Sequence, residues 1–446
     1  MSIRSRKFLP CAELRPIAEW TPSRDGTFPK RRIKGVLLLL LVACFVFHCG
    51  SMLAQQSPSG PPRVYDIPRP VQIPVAPLGY LPPGELPAYS YYSLVNLRFV
   101  DANHLLFVFN TTGLLRRDDR CSKSDSERLV RAVVLEIPSG KVEKQAEWKL
   151  YDFSEFLWPL SDGRFLLRRC SQLDEFGSSL HLRPLIRVEG SLEEVGFSPD
   201  RSVMVLEEKE ESGATAANGA AAVSRSSDRS GQPPTQEIGV EFIRLHPLGA
   251  IVRSVIPLPG AIPLVKQGIL EILTARHNRW DVVLHPFQGP QRHIVSIHSY
   301  CEPALQPITN DVFVATVCPN PNYRMYVGYD MQGALLWKIK VSPDETIPRL
   351  VLFRNDAHFA LETIQMKGIV APTAVVTSGD VAGQDIHIYD TRSGVQIASL
   401  QIAPVYTAGR NVDISPDGTR VAILNHGTIE IFTLDQLARD GRAASQ

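Results

Sequence analysis

A turn built on Asp, Asn or Gly and followed by a short alternating apolar run recurs seven times along this 446-residue chain, and no other feature restricts its fold so tightly. The copies are DANHLLFVF (Asp101–Phe109), SDGRFLL (Ser161–Leu167), SPDRSVMVL (Ser198–Leu206), KQGILEIL (Lys266–Leu273), TNDVFVATV (Thr309–Val317), RNDAHFALE (Arg354–Glu362) and SPDGTRVAIL (Ser415–Leu424). Side chains of a strand alternate between its two faces, so each copy predicts a turn entering a strand. With Asp101, Asp162, Asp200, Gly268, Asp311, Asp356 and Asp417 as markers, the steps are 61, 38, 68, 43, 45 and 61 residues. The longest step contains residues 211–237, a stretch of 27 too polar and small-sided to pack; without it the step falls to 41.

A second marker keeps register with the first: an apolar strand, a turn ending in Gly, and another strand, around Gly140, Gly249, Gly289, Gly333 and Gly394. Gly268 to Gly289 is 21 residues and Asp311 to Gly333 is 22. Steps near 40–45 residues with two turns in register describe a four-stranded unit. One such sheet cannot bury both faces alone, so the units stack about an axis until the ring closes. The chain is therefore predicted to be all-β, a β-propeller of about seven four-stranded blades over residues 91–436, with a tail at 437–446. Its 35 prolines and 30 glycines are spread along the chain, as many short strands joined by turns require. Little chain follows Leu434, so the last blade is short, and a strand near Tyr89–Phe99 is expected to complete it.

Residues 1–54 read as a basic arm and a signal peptide or membrane-anchor helix. Lys30–Phe47, KRRIKGVLLLLLVACFVF, sets four cations before an apolar run of 12 residues, the length of a leader core. Cleavage after Ala54, retention as an anchor and lipidation at Cys44 are the alternatives, and all three place the body in an exported, oxidising compartment. Residues 55–90 are proline-rich and read as an extended tether, or as an arm laid across the body by Val64, Ile67, Val71, Ile73 and Val75. Past the arm the chain carries 38 basic and 43 acidic residues, which argues against nucleic acid as a partner.

Beyond Ala54 the cysteines are Cys121, Cys170, Cys301 and Cys318, with no C-x-x-C pair. Three pairings are open. Cys121 with Cys170 and Cys301 with Cys318 are favoured because each closes a local loop; four buried thiols are the alternative.

No catalytic constellation is legible, and no cofactor is expected. His285 and His293 flank the turn at Gly289 and could face each other across a hairpin as a metal seed, with His277 and His298 nearby; ordinary histidines are the competing reading. Arg116, Arg117, Asp118 and Asp119 form a charged insertion that could grip a partner. Arg168 and Arg169 end a strand and are read as edge or salt-bridge residues. Trp158, Trp280 and Trp337 are read as packing between sheets.

The segments SPDGTRVAIL and IHIYDTRSGVQIASL (Ile386–Leu400) resemble the blade signatures of WD-repeat-like and Tol-type periplasmic propellers, without the terminal Trp-Asp pair or the Gly-His dipeptide. YDMQGALLW (Tyr329–Trp337) resembles a quinoprotein blade. The resemblance implies a binding role. The expectation is an exported, monomeric, non-catalytic module that scaffolds or binds a protein or peptide through insertions at Arg116–Arg128 and Met366–Gln384. Its alternatives are a hydrolase or lactonase with a site at the central channel and a structural envelope component.

Overall fold

The computed structural model describes residues 70–80, 95–114, 128–150, 155–188, 190–209, 238–256, 261–321, 323–340, 345–353, 355–368, 380–402, 410–425 and 427–438. The arm, the apolar run at 36–47 and the insertion at 211–237 lie outside them. Among the described residues, no helix is long and apolar enough to cross a membrane.

The strands form seven four-stranded antiparallel sheets, each ordered from the axis outward in chain order. Blade one spans 96–150, blade two 157–187, blade three 191–256, blade four 264–298, blade five 304–340, blade six 345–402, and blade seven 412–433 with one strand from the N-terminal side. Seven apolar clusters hold them, one at each junction, including the junction of blade seven with blade one. The periodicity explains this directly: on Phe359–Leu361 the odd residues face blade five and Ala360 faces blade seven.

Antiparallel pairing sorts the connections onto two faces. Turns joining first to second and third to fourth strands share one face, here the lower. Second-to-third connections and the links between blades share the upper. All seven sequence markers fall at first-to-second turns, and the Gly markers fall at third-to-fourth hairpins.

The closing strand differs from expectation. Blade seven is completed by Val71–Pro74, paired with the strand Thr428–Thr433 from Val71↔Ile431 to Pro74↔Thr428, and not by a segment near Tyr89–Phe99. Asn96–Phe99 is the inner strand of blade one, and its inner edge is occupied: Leu97 N–H donates to the Arg410 carbonyl (2.8 Å) and Phe99 N–H to Asp413 Oδ2 (2.8 Å). Proline is no obstacle at 74 because an outermost strand needs its donors on one side only. The chain after it packs as well: Val75 is fully buried, and Tyr80 meets Phe107 and Phe109 edge-on at 5.5 and 5.7 Å. Part of the expected tether is thus core. At the other end the expected tail begins late, since a helical turn at 434–438 buries Leu434 and Leu437 between blades six and seven.

Candidate functional site

The first-to-second turns ring the axis on the lower face, and two of them show how the sequence builds them. In Ser198–Pro199–Asp200–Arg201–Ser202, Ser198 Oγ donates to Asp200 Oδ1 (2.8 Å) and accepts from Val203 N–H (3.0 Å), while Ser202 donates to Asp200 from its N–H (3.2 Å) and hydroxyl (2.8 Å). Ser415–Pro416–Asp417–Gly418–Thr419 repeats the pattern, with Ser415 Oγ to Asp417 at 2.6 Å, Thr419 N–H and Oγ1 to Asp417 at 3.1 and 2.9 Å, and Arg420 N–H to Ser415 Oγ at 2.9 Å. The fourth position is left-handed in both, at φ 59° for Arg201 and 72° for Gly418. Burial pushes the Asp200 carboxyl up, but the bonds from Ser198, Ser202 and Asn310 outweigh it and hold the group below its ordinary value.

These turns gather a polar mouth from four blades. Lys266 of blade four reaches Asp200 of blade three at 3.5 Å, and its N–H donates to Asn310 Oδ1 of blade five at 3.2 Å. Across the axis, desolvation and the charges of Asp200 and Asp311 raise the Asp356 carboxyl of blade six, against the lowering effect of Arg201. Three carboxylates from three blades therefore share one field, with Lys266 and Arg201 as counter-charges. The sequence reading used these aspartates as spacing marks and missed their convergence. The signal was available, since equivalent positions of a closed ring lie on a circle about its axis.

Polar groups farther in join blades. Asp413 of blade seven accepts from Phe99 N–H and lies 3.7 Å from Arg98 Nη1 of blade one, both side chains under 10% exposed. Arg168 of blade two donates to the Leu192 and Glu193 carbonyls of blade three, and Arg169 pairs with buried Asp174 at 2.5 Å. Both arginines thus serve edge and salt-bridge roles. On the inner strand of blade three, burial and then Glu155 raise the Glu194 carboxyl.

The predicted site residues fall as follows. His285 lies opposite Ile269 and pairs with Glu271 at 2.5 Å; His293 lies opposite Val283 and approaches Asp281 at 3.6 Å and Ser296 Oγ at 3.3 Å. The hairpin does not set the two against each other, because a register shift between Val282 and Val283 moves their pairing, and each has its own carboxylate. No group of three His, Cys, Asp or Glu suited to a metal forms among the described residues. Cys301 and Cys318 are disulfide-bonded, with Cα atoms 5.5 Å apart. Cys170 is also disulfide-bonded, but Cys121, its expected partner, lies outside the described residues, as do Arg116, Arg117, Asp118 and Asp119. Trp158 and Trp337 are buried between blades.

No family model matches the chain, and no curated protein matches it. Among solved structures it is similar to the acylaminoacyl peptidase of Pyrococcus horikoshii, at 11% identity and a TM-score of 0.47, covering 80% of this chain and 55% of that one. It is also similar to the β-propeller domain of the Trilobed protease from Pyrococcus furiosus (9%, 0.42, 77% and 98%) and to TolB from Acinetobacter baumannii (11%, 0.35, 74% and 78%). The chain spans about half the length of the peptidase structures it matches.

Proposed function

We propose that this protein is an exported, non-catalytic propeller that holds a protein or peptide partner on its upper face. One observation carries the reading. The strand ends at Leu114 and Arg128, at Lys209 and Ile238, and at Met366 and Val381, between which the chain's long insertions run, all belong to second-to-third connections and so emerge on one face of a closed ring. Insertions on a rigid scaffold are a common site of recognition, because the ring fixes where they start at no cost in ordering entropy. The Cys301–Cys318 bond supports an oxidising compartment. The test is capture from membrane extract with the chain from Gln55 onward as bait, beside a form lacking 116–128. A partner retained by the first and lost by the second is the expected result; no partner for either form removes the reading.

A second reading is favoured by the mouth on the lower face, where Asp356 carries a raised carboxyl beside Asp200 and Asp311, as a general acid would need. Hydrolysis of an ester or lactone panel that disappears in Asp356→Asn would establish it in place of the first.

A further inference from the structure

The ring has one junction that breaks its own packing rule. At three junctions the outer strand of one blade fills the space above the outer-hairpin glycine of the next. Ile73 lies 2.9 Å from a Cβ built on Gly140, Ile294 and Val295 press on Gly333, and Trp337 presses on Gly394. In blade four the corresponding Gly289, at φ 101°, has nothing within 4 Å among the described residues. The apolar cluster between blades three and four is also the smallest, with five buried residues (Val203, Val205, Val240, Phe242 and Leu264) against nine to sixteen elsewhere. The inner strands meet here, and the outer strands stand apart.

The two walls have different chemistry. On blade three, pairing puts Arg244, Val252 and Ser254 on the face of Phe242 and Val240, toward blade four, and Val252 is 41% exposed. On blade four, Val282 and Leu284 belong to the cluster with blade five, so Arg279, Asp281 and their partners His298 and Ser296 face blade three. Arg276, Arg279 and His298 are direct cross-strand neighbours at the upper end. Such neighbours stand about 5 Å apart, where like charges repel. Asp281, lowered by bonds from Ser296 and by Arg279 and His293, answers only part of this row, since Arg279 is 3.9 Å from it. Arg276 and Arg244 have no ion-pair partner among the described residues. The tip is held in place: Ser299 N–H donates to the Asn278 carbonyl (2.8 Å), and Trp280 Nε1 to the Ser299 carbonyl (2.9 Å). Tyr300, 51% exposed, stands edge-on to His298 at 5.7 Å.

We infer that the outer half of the junction between blades three and four is a docking cleft for an extended acidic segment of a protein partner. The inference rests on the binding reading above and gives it an address. A strand such as Arg292–His298 spans roughly 23 Å at about 3.3 Å per residue, room for an extended segment of about seven residues. Carboxylates of the segment pair with Arg276 and Arg279 in the two-pronged geometry guanidinium favours. An apolar side chain of it covers Val252, and its backbone adds to a free outer edge.

The probe is a fluorescein-labelled octapeptide of alternating Glu and Val, with a Lys–Val octapeptide as control, titrated against the full chain by anisotropy at low salt. Binding of the acidic peptide alone is expected, weakened at least about tenfold by R276E/R279E and unchanged by R183E on the outer strand of blade two. If R276E/R279E does not fold, R276Q/R279Q gives the same readout. Equal binding by R276E/R279E, equal binding of the Lys–Val peptide, or affinity only for anionic phospholipid vesicles overturns the cleft. Capture from membrane extract separates this failure from the other. A partner held alike by the wild type and R276E/R279E sinks the cleft and leaves the binding reading intact, whereas no partner for any form sinks that reading.

Discussion

The indole of Trp337 fills the space in which a side chain at Gly394 would have to lie: a Cβ built there stands 2.5 Å from the tryptophan's own Cβ and 2.9 Å from Cδ1. The same ring stacks on Phe359 at 5.1 Å, and its Nε1 donates to the Thr391 carbonyl at 2.9 Å, so one side chain of blade five joins three parts of blade six. Gly394→Ala meets both this crowding and a left-handed φ of 64°. It is expected to cost about 2–4 kcal/mol in urea unfolding. Gly289→Ala, with the backbone cost but open space, is expected to cost about 1–2 kcal/mol. Equal losses at the two positions would contradict the account of the junctions.

Ring closure depends on a strand of four residues. Ile73 and Val75 are buried in the cluster joining blades seven and one, and Val75 N–H donates to the Gly427 carbonyl at 2.9 Å. A chain beginning at residue 70 is expected to unfold with the stability of the chain from Gln55, and one beginning at residue 81 at a clearly lower temperature. Ile73→Ala alone is expected to cost about 2–4 kcal/mol. A chain from residue 81 with an unchanged thermal midpoint would show that Val71–Pro74 is dispensable.

His104 lies between two carboxylates, with Nδ1 2.8 Å from Asp101 and Nε2 3.3 Å from Glu143. The bond to Asp101 raises its pKa, burial opposes, and the charges of Asp101, Glu143 and Glu136 add to the rise. Folding therefore favours the imidazolium. Its contribution is complete below the unfolded value of about 6.5 and is lost as pH climbs through the higher folded value. At 30% exposure it is worth up to about 1 kcal/mol. Stability of the wild type minus that of His104→Gln should shrink between about pH 6 and pH 8; a flat difference would show that the histidine does not titrate with folding.

The Ser–Pro–Asp turns act in the opposite sense. Burial raises Asp200 and Asp417, and the hydroxyl and N–H donors around each more than reverse it, so both lie below the ordinary carboxylate value. Their stabilisation is present above about pH 4 and is lost as pH falls through the lower folded values. Ser415 is fully buried, and Ser415→Ala strands the Arg420 N–H. A loss of about 1–3 kcal/mol at pH 7 is expected from chemical denaturation.

Cys301 and Cys318 close a loop across a separation of 17 residues. Opening a loop of that size is expected to cost about 3 kcal/mol. The double Ser variant should melt lower than the wild type under oxidising conditions and like it under reducing ones, provided the disulfide of Cys170 is followed separately by non-reducing mass measurement.

Blade number, blade order and the place of every marker turn were legible in the chain, because a period of two and a left-handed turn are written by neighbouring residues. Asp200 and Ser198 lie two apart, and their bond forms wherever that short segment bends. Which strand closes the ring was not legible. Val71–Pro74 and Asn96–Phe99 are both short, apolar and early, and only the free edge at Thr428–Thr433, more than 350 residues away, distinguishes them. The same holds for the candidate sites. The convergence of Asp200, Asp311 and Asp356, and the gap over Gly289, are distances between blades, set by how seven sheets divide a circle and by which outer side chains are large enough to reach the next one.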